Sequence, residues 1–195
     1  MNREDALELL NKFVKNKNLI KHSIAVEAIM IDIAKDLQNK SKDQDSQSVK
    51  FDKDRWALAG LVHDIDYEDT ADDPLRHSLI AEKMLLELGF DDDIVYAVKV
   101  HNDTHGFPLK SEMDIALFAS DPASGLIAAS ALINSDKKIG SIDADFVLKR
   151  YKEKSFAKGA NRKQILACES LGYTLEEFLG IALGAMKKIS MQIGL

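Results

Sequence analysis

Cysteine is almost absent from this chain of 195 residues. The one thiol, Cys168, has no internal partner, so no intrachain disulfide holds the fold and nothing requires an oxidising compartment. A basic excess is missing too: 26 Lys and Arg face 32 Asp and Glu, for a formal charge of −6. Without surplus cations there is no means of neutralising a run of backbone phosphates, which argues against a nucleic-acid polymer as partner. Long apolar runs are also lacking. The longest, LIAASALI at 126–133, is far shorter than a bilayer requires, and no membrane association is expected. The start, MNREDALELL, has no basic stretch leading into an apolar one, so no signal peptide and a cytoplasmic location are expected. No alternating strand pattern and no internal repeat are found.

What is present is an ordinary soluble composition, 46% hydrophobic and 30% charged. Folding a chain this long buries roughly 70% of its unfolded surface, enough for a sizeable core. The pattern is helical. EDALELLNKFV (4–14) repeats apolar residues at helical spacing, and 20–37 does so through Ile24, Ala25, Ile29 and Ile33. QNKSKDQDSQSVK (38–50) has one apolar residue in thirteen and reads as an exposed loop. DKDRWALAGLVH restarts a helix with Asp52 or Asp54 as N-cap. DDPLRHSLIAEKMLLELG reads as a helix capped by Asp73, opened by Pro74 and stopped at Gly89. A shorter helix follows in DDIVYAVKVH, then a loop at 102–110 and a helix over about 112–133. GSID (140–143) is a break, and TLEE (174–177) is a capping box opening the last helix. The expectation is an all-α fold.

Polar residues intrude on the apolar faces of these helices. His63 has Trp56, Ala59 and Gly60 at minus seven, minus four and minus three. His22 precedes Ala25, Val26 and Ile29 at the mirrored offsets, and His77 precedes Ile80, Ala81 and Met84. His101 follows Ile94, Ala97 and Val98; Asp64 follows Ala57, Gly60 and Leu61; Asp121 follows Leu117 and Phe118. Each has an ordinary explanation taken alone. A single histidine on an apolar face is more often a core residue satisfied by one hydrogen bond, and Asp121 before Pro122 could cap a helix. Jointly they are harder to dismiss, since four of the five histidines face inward and none occurs after position 105. Buried imidazoles and carboxylates compete for few partners, and a metal ion accepts both donor types at once.

The order His22, His63–Asp64, Asp121 resembles the H…HD…D signature of the HD-domain superfamily of metal-dependent phosphohydrolases. VHDID matches its HD element, and RHSLIAEKML and VYAVKVHND resemble the two extra histidine elements of its dinuclear members. The resemblance covers residues 18–134. It implies an all-α HD-domain bundle in which His22, His63, Asp64 and Asp121 hold one metal and His77 and His101 a second, with Asp64 bridging. The implied cofactor is one or two divalent transition-metal ions per chain, drawn from Fe, Mn, Zn, Co and Ni. Three departures from the family pattern stand out: Asp66, Tyr67 and Glu68 follow the dyad, an acidic mouth where relatives often carry Gly and Lys; Pro122 follows Asp121 where relatives often carry Glu; and residues 140–195 show no usable motif.

The implied reaction is hydrolysis of a nucleotide or other small phosphoester by a water that the cation acidifies. Asp64 and His105 are the candidate catalytic residues. His105 would protonate the leaving group from its loop, although a loop histidine is as readily an exposed bystander. Lys21, Arg76 and Lys99 are candidate phosphate contacts by adjacency, and ordinary surface charges otherwise. The same ligands would also serve an HD-fold di-iron oxygenase, and the fold alone would serve a non-catalytic binding module. Residues 1–135 are expected to form the metal-binding core with its N-terminal helix. Residues 136–195 are expected to form a helical extension packed on it, and a homo-oligomer is compatible with the sequence.

Overall fold

The computed structural model of the protein describes residues 1–42 and 51–195. Among them there are helices and no strands. In chain order the helices are α1 (Arg3–Phe13), α2 (Lys17–Lys42), α3 (Lys53–Val62), α4 (Tyr67–Thr70), α5 (Leu79–Glu87) and α6 (Asp92–Val100). They continue with α7 (Glu112–Ile133), α8 (Ala144–Lys152), α9 (Arg162–Leu166), α10 (Leu175–Lys188) and α11 (Ser190–Ile193). The long helices α2 and α7 form the centre, with α3 and α10 packed on α2 and with α6 and α9 on α7.

Local chemistry sets the helix starts. Asp52 caps α3 by accepting from the N–H groups of Asp54 and Arg55. Capping boxes open α7 (Ser111 with Asp114) and α10 (Thr174 with Glu177), as the TLEE pattern predicts. Gly89, at φ 75°, ends the helical region that includes α5. Residues from the whole chain share one core, including Leu10, Ile29, Leu61, Leu117, Ile165 and Phe178. Cys168 lies in it, and burial pushes its thiol up to about 12, so it acts as a packing group.

Several sequence expectations need correction. α2 runs on to Lys42, so residues 38–42 are helical; the rest of the 38–50 loop lies outside the described residues. Asp73 and Pro74 do not open a helix. Residues 74–78 form turns, and α5 begins only at Leu79 because Ser78 takes a left-handed φ of 69° and bonds the Lys99 carbonyl instead of capping. Asp121 is not an N-cap either, since α7 starts ten residues earlier at its Ser111 cap and continues through Pro122. α7 is, by length and composition, apolar enough to cross a bilayer, which the short LIAASALI run did not suggest. Most of that stretch is buried against other helices, as a core helix would be.

The approach of α3 to α2 depends on Gly60. A Cβ there would lie 2.9 Å from the Glu27 Cα and backbone nitrogen, atoms of a rigid helix. Gly60→Ala must therefore push α3 off α2, and an unfolding titration should show a loss of about 1–3 kcal/mol. The same variant should bind metal more weakly, because α3 carries His63 on its end.

Candidate metal centre

The HD dyad does not sit within a helix. α3 stops at Val62; His63 is its C-cap, and Asp64 stands in the turn that follows. This placement has a local cause. The last carbonyls of a helix lack intrahelical donors, and the His63 ring folds back to supply one, Nδ1–H donating to the Gly60 carbonyl at 2.9 Å. His101 repeats the device at the end of α6, where it is the C-cap and its Nδ1–H donates to the Val98 carbonyl at 2.6 Å. A carbonyl can only accept, so both rings carry their proton on Nδ1 and present a bare Nε2 inward.

The other two imidazoles are held in the same tautomer. His22 Nδ1 lies 2.9 Å from the Ser124 hydroxyl, which donates its own proton to the Asp121 carbonyl and so accepts from His22. His77, on the turn before α5, donates Nδ1–H to Asp66 Oδ1 at 2.9 Å. The four Nε2 atoms converge in pairs, His22 on His63 and His77 on His101, each pair 3.2 Å apart. Two lone pairs facing each other at that distance repel unless a cation lies between them or one ring takes a proton.

Asp64 divides the cluster. Its Oδ2 lies 3.5 Å from His22 Nε2 and 3.4 Å from His63 Nε2. Its Oδ1 lies 3.3 Å from His77 Nε2 and 3.5 Å from His101 Nε2. Asp121 joins the first pair, with Oδ1 3.0 Å from His22 Nε2 and 3.8 Å from His63 Nε2. The donor atoms of His22, His63 and Asp64 lie within 4.8 Å of one another, as do those of Asp64, His77 and His101. Borderline nitrogen donors with hard carboxylate oxygens, preset at such separations, fit divalent transition-metal ions.

Without a cation the site holds its charge tightly. Burial pushes the His63 ring down, but the Asp64 and Asp121 carboxylates outweigh it and hold it well above the ordinary value. For His77 burial again opposes, and the Asp64 and Asp66 carboxylates carry it to about 9. Burial raises Asp64, yet His63, His101 and His77 draw it well below the carboxylate range. Asp121 is lowered in the same sense, burial being outweighed by bonds to His22 and His63.

All six sequence-predicted ligands meet here, though only His22 and Asp121 lie within helices. His105 does not join them. It is half-buried on the turn after α6 and donates Nε2–H to the His77 carbonyl at 3.0 Å. The expected acidic mouth is also rearranged. Asp66 is fully buried, and its Oδ2 accepts the Ala81 N–H at the start of α5 while Oδ1 orients His77. Glu68 turns away to accept the backbone N–H groups of Lys15 and Asn16. Tyr67 stays partly exposed with its ring edge-on to His77. Among the basic candidates, Lys99 is tied to Glu82 and lies over the Phe107 ring, Arg76 is exposed, and Lys21 lines a cavity beside His22.

The HD domain family matches residues 19–121, just over half of the chain and a span that contains all six candidate ligands. The chain belongs to the HD domain family. An uncharacterized protein of Methanocaldococcus jannaschii is 24% identical over 169 residues, covering 85% of this chain and 94% of the relative. No solved structure matches the chain. Membership accounts for the ligand order, while Asp66 and Ser124 belong to the layer behind it that sequence reasoning missed. Their signals were available as spacing: Asp66 is two residues past Asp64, and Ser124 is three past Asp121 on the same face of α7. Residues beyond 140 contribute as well, because Gln164 in the middle of α9 donates to the His101 carbonyl at 2.9 Å.

Asp66 is the positioning residue of this outer layer. Asp66→Asn leaves an amide that cannot accept from both the His77 ring and the Ala81 N–H. Metal affinity should fall by about 10–100-fold, measured by competition against a chelator of known affinity.

Proposed function

We propose that the protein is a metal-dependent phosphohydrolase acting on a small phosphoester. The observation that carries this reading is Asp64, whose two oxygens face two separate imidazole pairs. A carboxylate so placed suits a pair of cations sharing it, and family membership supports hydrolase chemistry because HD proteins are mostly metal-dependent hydrolases. Divalent cations bound there would supply an acidified water as nucleophile and neutralise charge on the phosphoryl oxygens.

The chain's own groups do the rest. Nδ1–H bonds to Gly60, Val98, Asp66 and Ser124 fix every ring in the tautomer that leaves Nε2 free. His63 and His101 are buried and exclude water from the inner side, whereas His22 and Asp121 remain partly exposed and mark the side from which substrate enters. His105 is the proposed leaving-group acid. Its bond to the His77 carbonyl occupies Nε2, so a proton would have to leave from Nδ1. His105→Ala separates the two roles: a general acid costs about 10²–10⁴ in rate with metal content unchanged, and a bystander costs nothing.

The reading is tested by loading the protein with Mn, Fe, Co, Ni or Zn and screening phosphate release from nucleotides and small phosphoesters, with and without chelator. Chelator-sensitive release is expected. If every ester is inert while the iron form consumes oxygen with a polyol or phosphonate, the oxygenase reading replaces this one.

A further inference from the structure

A cavity of about 430 Å³ opens beside His22 and runs between the two central helices. α2 contributes Asn18, Lys21, His22 and Ala25, one face of a helix at offsets of three, four and seven. α7 contributes Ser124, Gly125, Ala128 and Leu132, also one face, continuing the line that begins at Asp121. Met186, Ile193, Gly194 and Leu195 complete the wall. A second opening, of about 310 Å³, touches Asp121 and Pro122, and it shares His22 and Gly125 with the first. From Ser124 to Leu132 the groove spans about 12 Å along α7, taking 1.5 Å per residue.

Gly125 is the odd member of this wall. It sits inside a long helix, where glycine is a poor choice, and its φ is not in the left-handed region. Packing does not require it: a Cβ built there meets no atom within 4 Å. The space it leaves lies where the two openings join, next to the ligand-bearing turn of α7. The lining is mainly aliphatic and holds no phenyl or indole ring on which a base would stack. Lys21 makes no ion pair among the described residues, and its ammonium lies beside Gly194 in the same lining.

We propose that this groove holds the organic part of the substrate, an aliphatic group of several carbons esterified to the phosphate, and that Gly125 is the specificity-determining residue that lets the chain pass from the metal centre into it. The proposal rests on the phosphohydrolase reading for the phosphate end and on the cavity for the aliphatic end. A nucleoside, which needs stacking or edge hydrogen bonds, is a poor occupant.

The test is calorimetric binding to the metal-loaded full chain, with inorganic phosphate, hexyl phosphate and adenosine monophosphate as probes. Hexyl phosphate should bind at least tenfold more tightly than either of the others, and Gly125→Leu should abolish that gain. Gly125→Ala should raise the unfolding temperature, since the added methyl favours the helix and meets nothing. Metal content of both variants, measured alongside, should equal that of the parent. The proposal is overturned if hexyl phosphate gains nothing, if its gain survives Gly125→Leu, or if sedimentation shows a second copy of the chain seated on the groove and released by that substitution. Failure of the phosphohydrolase reading looks different. No ester then yields phosphate, yet hexyl phosphate and hexanoate still bind in a manner lost with Gly125→Leu; if neither binds, the groove proposal falls too.

Discussion

Asp64→Ala is expected to lose metal from both halves of the centre and to reduce phosphate release to background. Asp64 is the residue that reaches both imidazole pairs, with Oδ2 on one and Oδ1 on the other. Its removal also takes away the negative charge that compensates His63, a ring with no exposure to water. His77→Ala or His101→Ala removes a donor from the Oδ1 side alone and should leave about one ion bound. Asp64→Asn serves as the companion variant, because it keeps volume and one acceptor oxygen and removes the charge. Metal stoichiometry and turnover under identical loading are the readouts. An Asp64→Asn protein that keeps two ions and full turnover contradicts the bridging role.

Metal should stabilise the fold strongly, and more so as pH rises. An ion that binds only the native state, at about a thousandfold excess over its Kd, contributes about 4 kcal/mol per site, or about 8–16 °C in Tm for a domain of this size. The pH dependence follows from His77. In the metal-free protein its value is about 9, against an ordinary 6.5, so the protonated ring stabilises the fold fully below about pH 6.5 and loses that contribution as pH climbs through 9. The metal-free Tm should therefore fall across that window. A ligating ring must be neutral, so metal displaces the His77 proton at neutral pH and competes less with protons as pH rises. The Tm increase on adding metal should widen between pH 6.5 and 9. Calorimetric titration at pH 7.5 in buffers of different ionisation enthalpy should detect the released proton. A metal shift that shrinks with rising pH contradicts this account of the site.

The clustering of the six candidate ligands was legible in the sequence because their burden is unusual. A histidine at helical spacing from alanines and leucines must be buried, and several together need something to share. The helical fold was legible for the same reason, in the apolar periodicity of α2, α7 and α10. What escaped was conformation between helices. Spacing placed His77 on a helix because Asp73 and Pro74 look like a helix start. The real start is capped from a distance by Asp66, whose carboxylate is already committed to His77. No local pattern reveals a cap fifteen residues away. Asp66 read as part of an acidic mouth, since Tyr67 and Glu68 follow it; only the turn after Val62, which swings Asp64 and Asp66 inward, shows it to be buried behind His77. The groove was illegible for another reason. Lys21, Gly125 and Ile193 lie on three elements far apart in sequence, and a glycine wanted for the room it leaves looks the same as one tolerated by accident.

His22, His63, Asp64, His77, His101 and Asp121 are expected to act together as one preset site for divalent cations. Elemental analysis of protein purified without added metal, followed by saturation with Mn, Fe, Co, Ni or Zn and gel filtration, tests it most directly. Two ions per chain should be retained at saturation, about one after His77→Ala and none after Asp64→Ala. Protein that retains no ion and shows no change in Tm with any of the five metals would contradict it.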